Sequence, residues 1–150
     1  MDADQLVRSL IPITFTFCSA LLLVGLLGVF VIVPEPTVSP TGLLLGAALA
    51  LVSWFAPSVV LPRLLTSAGR RGVEPARVAG VVRALVFVGL ALAEVPALVG
   101  LALTFALSDG NDVAPFALAI PVAIASIWVN VSGPTAVRSH LERVRSSIAY

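Results

Sequence analysis

Residues 79–107 read AGVVRALVFVGLALAEVPALVGLALTFAL, an apolar run broken by two charges, Arg83 near its start and Glu94 at its middle. An α-helix rises about 1.5 Å per residue, so about 20 such residues cross the roughly 30 Å hydrocarbon core of a bilayer. This run is long enough to span, and three others in the chain meet the same length, at residues 10–33, 41–61 and 113–131. Unsatisfied backbone groups exclude open irregular structure inside lipid, so each run is read as a helix. The expected fold class is all-α, an integral membrane protein with four transmembrane helices. Composition agrees: 59% of the 150 residues are hydrophobic and 11% charged, with a mean hydropathy of +1.07. A soluble domain carries roughly 25% charged residues.

The turns between the runs suggest how they pair. Pro34-Glu35-Pro36-Thr37-Val38-Ser39-Pro40 joins the first two, and its prolines lack the amide hydrogens that a continuing helix needs. Ser108-Asp109-Gly110-Asn111-Asp112 joins the last two. Both are short, which predicts two antiparallel hairpins, spans one with two and three with four. Arginine placement sets the orientation, because basic residues beside a span are retained on the cytoplasmic side. Arg8 precedes span one, while Arg63, Arg70, Arg71 and Arg77 follow span two. Arg83 opens span three, and Arg138, Arg143 and Arg145 follow span four. The two short turns carry only acids. Both termini and the central connection are therefore expected in the cytoplasm, with the protein multi-pass in a cell or inner membrane.

The chain divides into a four-helix transmembrane domain, residues 1–134, and a cytoplasmic tail, residues 135–150. In the tail Val137, Leu141, Val144 and Ile148 recur at helical spacing, which predicts an amphipathic helix lying on the membrane surface or docking on a partner. Its arginines suit anionic membrane lipids. The N-terminal run is expected to be retained, since a cleaved signal has an apolar region of only about 7–15 residues and a basic start. Met1-Asp2-Ala3-Asp4 is not basic. Cys18 is the lone cysteine and reads as core packing. A net charge of +1 gives no basic excess to attract nucleic acid. No nucleophile with a base, metal cluster or phosphate loop stands out. No catalytic residue, cofactor or metal is therefore expected, and an enzyme ranks third among the readings. His140 is expected to be exposed, with no companion to make a metal site.

Glu94 is the only acid inside a span, near the bilayer midplane by its position in the run. A charged side chain there costs about 2.5–3.5 kcal/mol on insertion scales, which makes it a functional candidate, with protonated packing glue as the alternative. Hydrocarbon favours the neutral acid. Depth matching brings Cys18, Ser19, Ser53 and Ser126 to the same level, and Ser53 is the candidate hydrogen-bond partner. Arg83 shares a helix face with Glu94 but lies about 16 Å away along the axis. It is expected to snorkel to the interface.

Glu74-Pro75-Ala76-Arg77-Val78-Ala79-Gly80-Val81-Val82-Arg83, then Phe87-Val88-Gly89-Leu90-Ala91-Leu92-Ala93-Glu94-Val95-Pro96 and Leu98-Val99-Gly100-Leu101, resemble subunit c of F-type ATP synthases. The resemblance covers residues 41–107, spans two and three. It implies a helical hairpin with a polar cytoplasmic loop, a mid-membrane carboxyl that binds the translocated proton, and assembly as a homo-oligomer or with other membrane subunits. Glu94 aligns with that carboxyl. Val95 follows it in place of a hydroxyl residue, which implies proton rather than sodium binding. The family's first helix is dense in glycine, whereas span two offers Gly42, Gly46 and Ala50, and spans one and four are additions. The readings that follow are a proton-binding subunit similar to subunit c or, alternatively, a non-transporting accessory or scaffold subunit of a larger membrane complex.

Overall fold

A computed structural model of the chain describes residues 3–106 and 111–148. The first helix, α1, covers Ala3–Leu27 and runs on as a π-helical segment, Gly28–Ile32. Helix α2 covers Pro40–Arg70. A 3-10 turn at Pro75–Arg77 leads into α3, Val78–Ala106. Helix α4 covers Ala114–Ser126 and also ends in a π segment, Ile127–Ser132, before α5, Pro134–Ile148. Four of these helices are long and apolar enough to cross a membrane. Phe15, Phe30 and Leu44 stand 66%, 78% and 74% exposed, so the bundle has an apolar exterior that suits hydrocarbon better than water. This architecture fits a multi-pass membrane protein. Residues 108–110 of the predicted second turn lie outside the described residues.

Helix α2 is longer than its apolar run suggests. Helix α2 passes through Pro57 and Pro62 and ends at Arg70 rather than near residue 61. A proline removes one amide donor, and the freed carbonyl does not by itself end a helix held by packing on both sides. Leu61, Leu65 and Gly69 are all buried across this stretch. The helix stops where Gly72 takes φ 73°, a left-handed conformation that glycine adopts without steric penalty. Arg63 and Arg70 therefore belong to a helix and not to a loop.

Close approaches fix the arrangement of the helices. A side chain at Gly42 would strike the Asp112 carboxylate, and one at Gly46 would come within 2.5 Å of the Ala114 carbonyl. Leu61 and Val131 both meet Gly89. Helices α2 and α4 thus run in the same direction, with α3 antiparallel to both. At the far end of α3, Gly100 lies against Pro115, whose carbonyl oxygen would stand 2.8 Å from a methyl group added at the glycine. Helix α1 lies against α4 and α3, through Gly25 with Ile120 and Gly28 with Phe116 and Leu101.

The predicted pairing of spans one and two is corrected here: α1 packs on α3, α4 and α5 and makes at most marginal contact with α2. Loop length allows this. Seven extended residues reach about 23 Å, well beyond the 8–10 Å or so that separates packed helices. Helices α3 and α4 pack on each other in antiparallel directions.

The tail also differs from expectation. Helix α5 folds back beneath the bundle and buries Ala136, Val137, His140, Leu141 and Val144 against α2, α3 and α1. Its apolar stripe is covered by the chain itself and is not left for a lipid surface or a partner. An exposed ion pair, Arg138 to Asp4 at 3.0 Å, links α5 to the start of α1. His140 is 5% exposed, which corrects its reading as a surface residue.

Candidate functional site

Glu94 sits at the middle of α3, whose buried face includes Val86, Gly89, Ala93, Ala97 and Gly100. Successive helical residues turn by about 100°, so Glu94 is swung from that face onto a flank and is half-buried. Leu101, two turns further on, shares the flank and faces α1, since its Cδ1 is 3.3 Å from a side-chain position at Gly28. Leu92 and Pro96, two residues either side of Glu94, point to the opposite flank. There they line an apolar groove of about 310 Å³ with Val52 and Ala56 of α2.

This geometry separates the residues that depth matching had grouped. Ser53 lies on α2, the helix across the opposite flank of α3 from Glu94. It is fully buried, and its Oγ has no hydrogen-bond partner among the described residues. The expected Ser53–Glu94 hydrogen bond is therefore not made. Sequence position gives depth along a span but not the angular position around α3. Ser126 is buried and accepts from Asn130 Nδ2 at 3.2 Å, Ser19 is exposed, and Cys18 is buried and free. Glu94 itself makes no hydrogen bond or ion pair with any described residue. Arg83 is exposed near the start of the same helix and has no ion-pair partner among the described residues.

Two polar sites had no prominence in the sequence. Asp112 is 0% exposed at the end of the bundle that carries the short turns. Its Oδ1 accepts from the Ala114 amide at 3.1 Å, and its Oδ2 accepts from the Ser39 hydroxyl. Ser39 Oγ in turn caps α2 by accepting from the Gly42 amide at 2.9 Å. Thr37 exchanges backbone hydrogen bonds with Asn111 and Val113, at 2.8 and 3.1 Å, which joins the two connections. The signals present were Ser39 before Pro40 and Asp112 before Ala114-Pro115, both N-terminal capping patterns.

His140 is the second such site. Burial holds its imidazole below the ordinary histidine range, against the backbone carbonyls of Val131 and Asn130, with Arg143 adding like-charge repulsion. Nε2 has no partner among the described residues. No group of three or more His, Cys, Asp or Glu among them is placed to hold a metal ion.

Together the fold and these sites define an all-helical chain with four membrane-length helices and one unpartnered carboxyl halfway along a helix flank. No protein-family model, curated protein or solved structure matches it.

Proposed function

We propose that the chain is a proton-binding subunit of a membrane complex, similar to subunit c in its use of a mid-membrane carboxyl, with Glu94 taking up and releasing the proton. The observation that supports this is the absence of any partner for Glu94 among the described residues. A carboxyl serving as glue within the chain would bond a neighbouring helix, and no described residue receives such a bond from Glu94. Instead Glu94 stands on a half-buried flank where a group from outside the bundle can reach it. Protonated, it is a neutral acid compatible with lipid; ionised, it needs a polar or cationic partner, and Arg83 is too far along the helix to serve. That partner is assigned to a neighbouring subunit. The orientation that accompanies this reading has both termini in the cytoplasm.

A second reading, a non-transporting accessory or scaffold subunit, is favoured by one packing feature. Gly42 and Gly46, the small-residue stripe on α2 that would seat a neighbouring copy, are already occupied by Asp112, Ala114 and Leu118 of this chain. A ring built through that face is not open to it.

Glu94→Gln separates the two. The amide keeps the size and hydrogen bonding of a neutral acid but cannot titrate. In reconstituted vesicles with a pH-sensitive dye, the expected result is normal assembly on native gels with proton flux abolished. Flux retained in Glu94→Gln would refute the proton site, and absence of flux in the wild type would favour the accessory reading. Glu94→Leu adds a check on assembly, since weakened association there marks an intermolecular hydrogen bond.

A further inference from the structure

Beyond Pro62, α2 leaves the apolar run and continues for two turns that carry Arg63, Thr66, Ser67 and Arg70, with Arg71 at the C-cap. Helix α5 crosses this extension closely, with the Val144 carbonyl 2.8 Å from a side-chain position at Gly69. Along the crossing lies an open groove of about 490 Å³ whose walls hold Arg63, Arg70, Arg71 and Arg143. An adjoining recess of about 240 Å³ shares Thr66, Arg70 and Arg143 and adds the hydroxyl residues Ser146 and Ser147. No acid among the described residues lines either space.

Four arginines line this groove, and none of them has an ion-pair partner among the described residues. The ion pairs among the described residues are Arg77 with Glu74 and Arg138 with Asp4, and neither involves the groove. Arg70 and Arg71 complement the negative end of the α2 dipole, an effect that fades within the last turn. Arg63 lies about two turns back and Arg143 comes from another helix, so the dipole does not account for them. Guanidinium forks match phosphate oxygens in bidentate geometry, and several around one groove suit a single multiply oxygenated anion.

The position of the groove identifies the source of that anion. It opens at Pro62, beside the end of the span, and its neighbours Leu64 and Val59 are 37% and 42% exposed on the apolar exterior. A phosphate held by the arginines at this level can stay joined to acyl chains running along α2, which a soluble anion does not exploit. Basic pockets between helices at a membrane boundary bind lipid head groups in this way. We propose that the groove between α2 and α5 binds the phosphate-bearing head group of an anionic phospholipid. The proposal rests on the multi-pass membrane fold and is independent of the role of Glu94.

The test uses the full chain in an uncharged detergent, titrated calorimetrically with water-soluble dioctanoyl phosphatidylglycerol, dioctanoyl phosphatidylcholine and inorganic phosphate. Saturable binding of the phosphatidylglycerol is expected, at least about tenfold tighter than either of the others. Arg70→Gln with Arg143→Gln should weaken it by about tenfold or more, the effect of losing one or two charge-assisted hydrogen bonds. Arg63→Gln, from another part of the wall, provides an independent variant. Arg77→Gln with Arg145→Gln removes equal charge outside the groove and should leave affinity within about twofold, as expected for surface charges. Equal binding of the two lipids, equal loss in the control pair, or inorganic phosphate binding as tightly as the lipid would each overturn the proposal, the last by assigning the groove to a soluble anion.

Discussion

At Asp112 one buried carboxylate serves two helix starts, accepting from Ala114 at the head of α4 and from Ser39, the N-cap of α2. Unpaired amides at a helix start are satisfied by such oxygens, typically for about 1 kcal/mol each. Because the same side chain touches both elements, it also fixes their relative height. Gly42 permits this, since any Cβ there would occupy the position of the carboxylate oxygens. Gly42→Ala should therefore push Asp112 off both caps and destabilise the protein by about 1–3 kcal/mol, the range for overpacking a filled site. Gly80→Ala is the matched control, because nothing lies within 4 Å of a side chain at that helical position. It should be neutral or stabilising by up to about 1 kcal/mol. Thermal unfolding in detergent measures both, and an unchanged midpoint for Gly42→Ala would show that the Asp112 contact can relax without loss.

Among the elements, α5 shows what sequence pattern does and does not carry. The spacing of Val137, Leu141 and Val144 makes an amphipathic helix legible, and the helix is present. The same spacing does not say what covers the stripe, because a lipid surface, a partner and the chain's own bundle all present apolar area. His140 was legible only as a polar residue in a polar segment. Its burial follows from the docking of α5 onto the π segment that ends α4, where its ring meets carbonyls of Asn130 and Val131. A pH dependence follows. Protonation would place a charge and a donor on Nε2, which has no acceptor among the described residues. The folded value lies below the ordinary one, so the unfolded chain binds the proton more readily. Stability from docking α5 is thus fully present above about pH 6.5 and declines as pH falls below it toward the folded value. Amide exchange of residues 134–148 should accelerate between pH 7 and 5 after correction for intrinsic rates. His140→Phe should remove that acid-dependent part, and a slope unchanged by the substitution would place the sensitivity elsewhere.

For the whole molecule, hydropathy made the four long helices legible, while their neighbours were set by close contacts of small residues that periodicity does not reveal. Ser53 illustrates the difference at the candidate site: its depth was readable from the sequence, but its side of α3 depends on α2 lying toward Leu92 and Pro96. The arginine distribution remains the argument for orientation. All nine basic residues fall toward one end of the bundle, including those of α5, whose docking places Arg143 beside Arg70. Retention of basic flanks on the cytoplasmic side then predicts that the Pro34–Pro40 connection lies outside. Single cysteines in a Cys18→Ala background test this, at Pro36→Cys in that connection, Ala76→Cys between α2 and α3, and Ser146→Cys on α5. All three positions are exposed, so failure to react reflects the membrane and not burial. A membrane-impermeant maleimide applied to intact cells should label Pro36→Cys, and should reach Ala76→Cys and Ser146→Cys only after permeabilisation. The reverse pattern would invert the protein, and labelling of Ala76→Cys alone from outside would break the shared sidedness of the α2–α3 connection and α5. Inversion would also move the arginine groove to the outer leaflet, leaving the lipid titration in detergent unchanged but altering which lipids the groove meets in the cell.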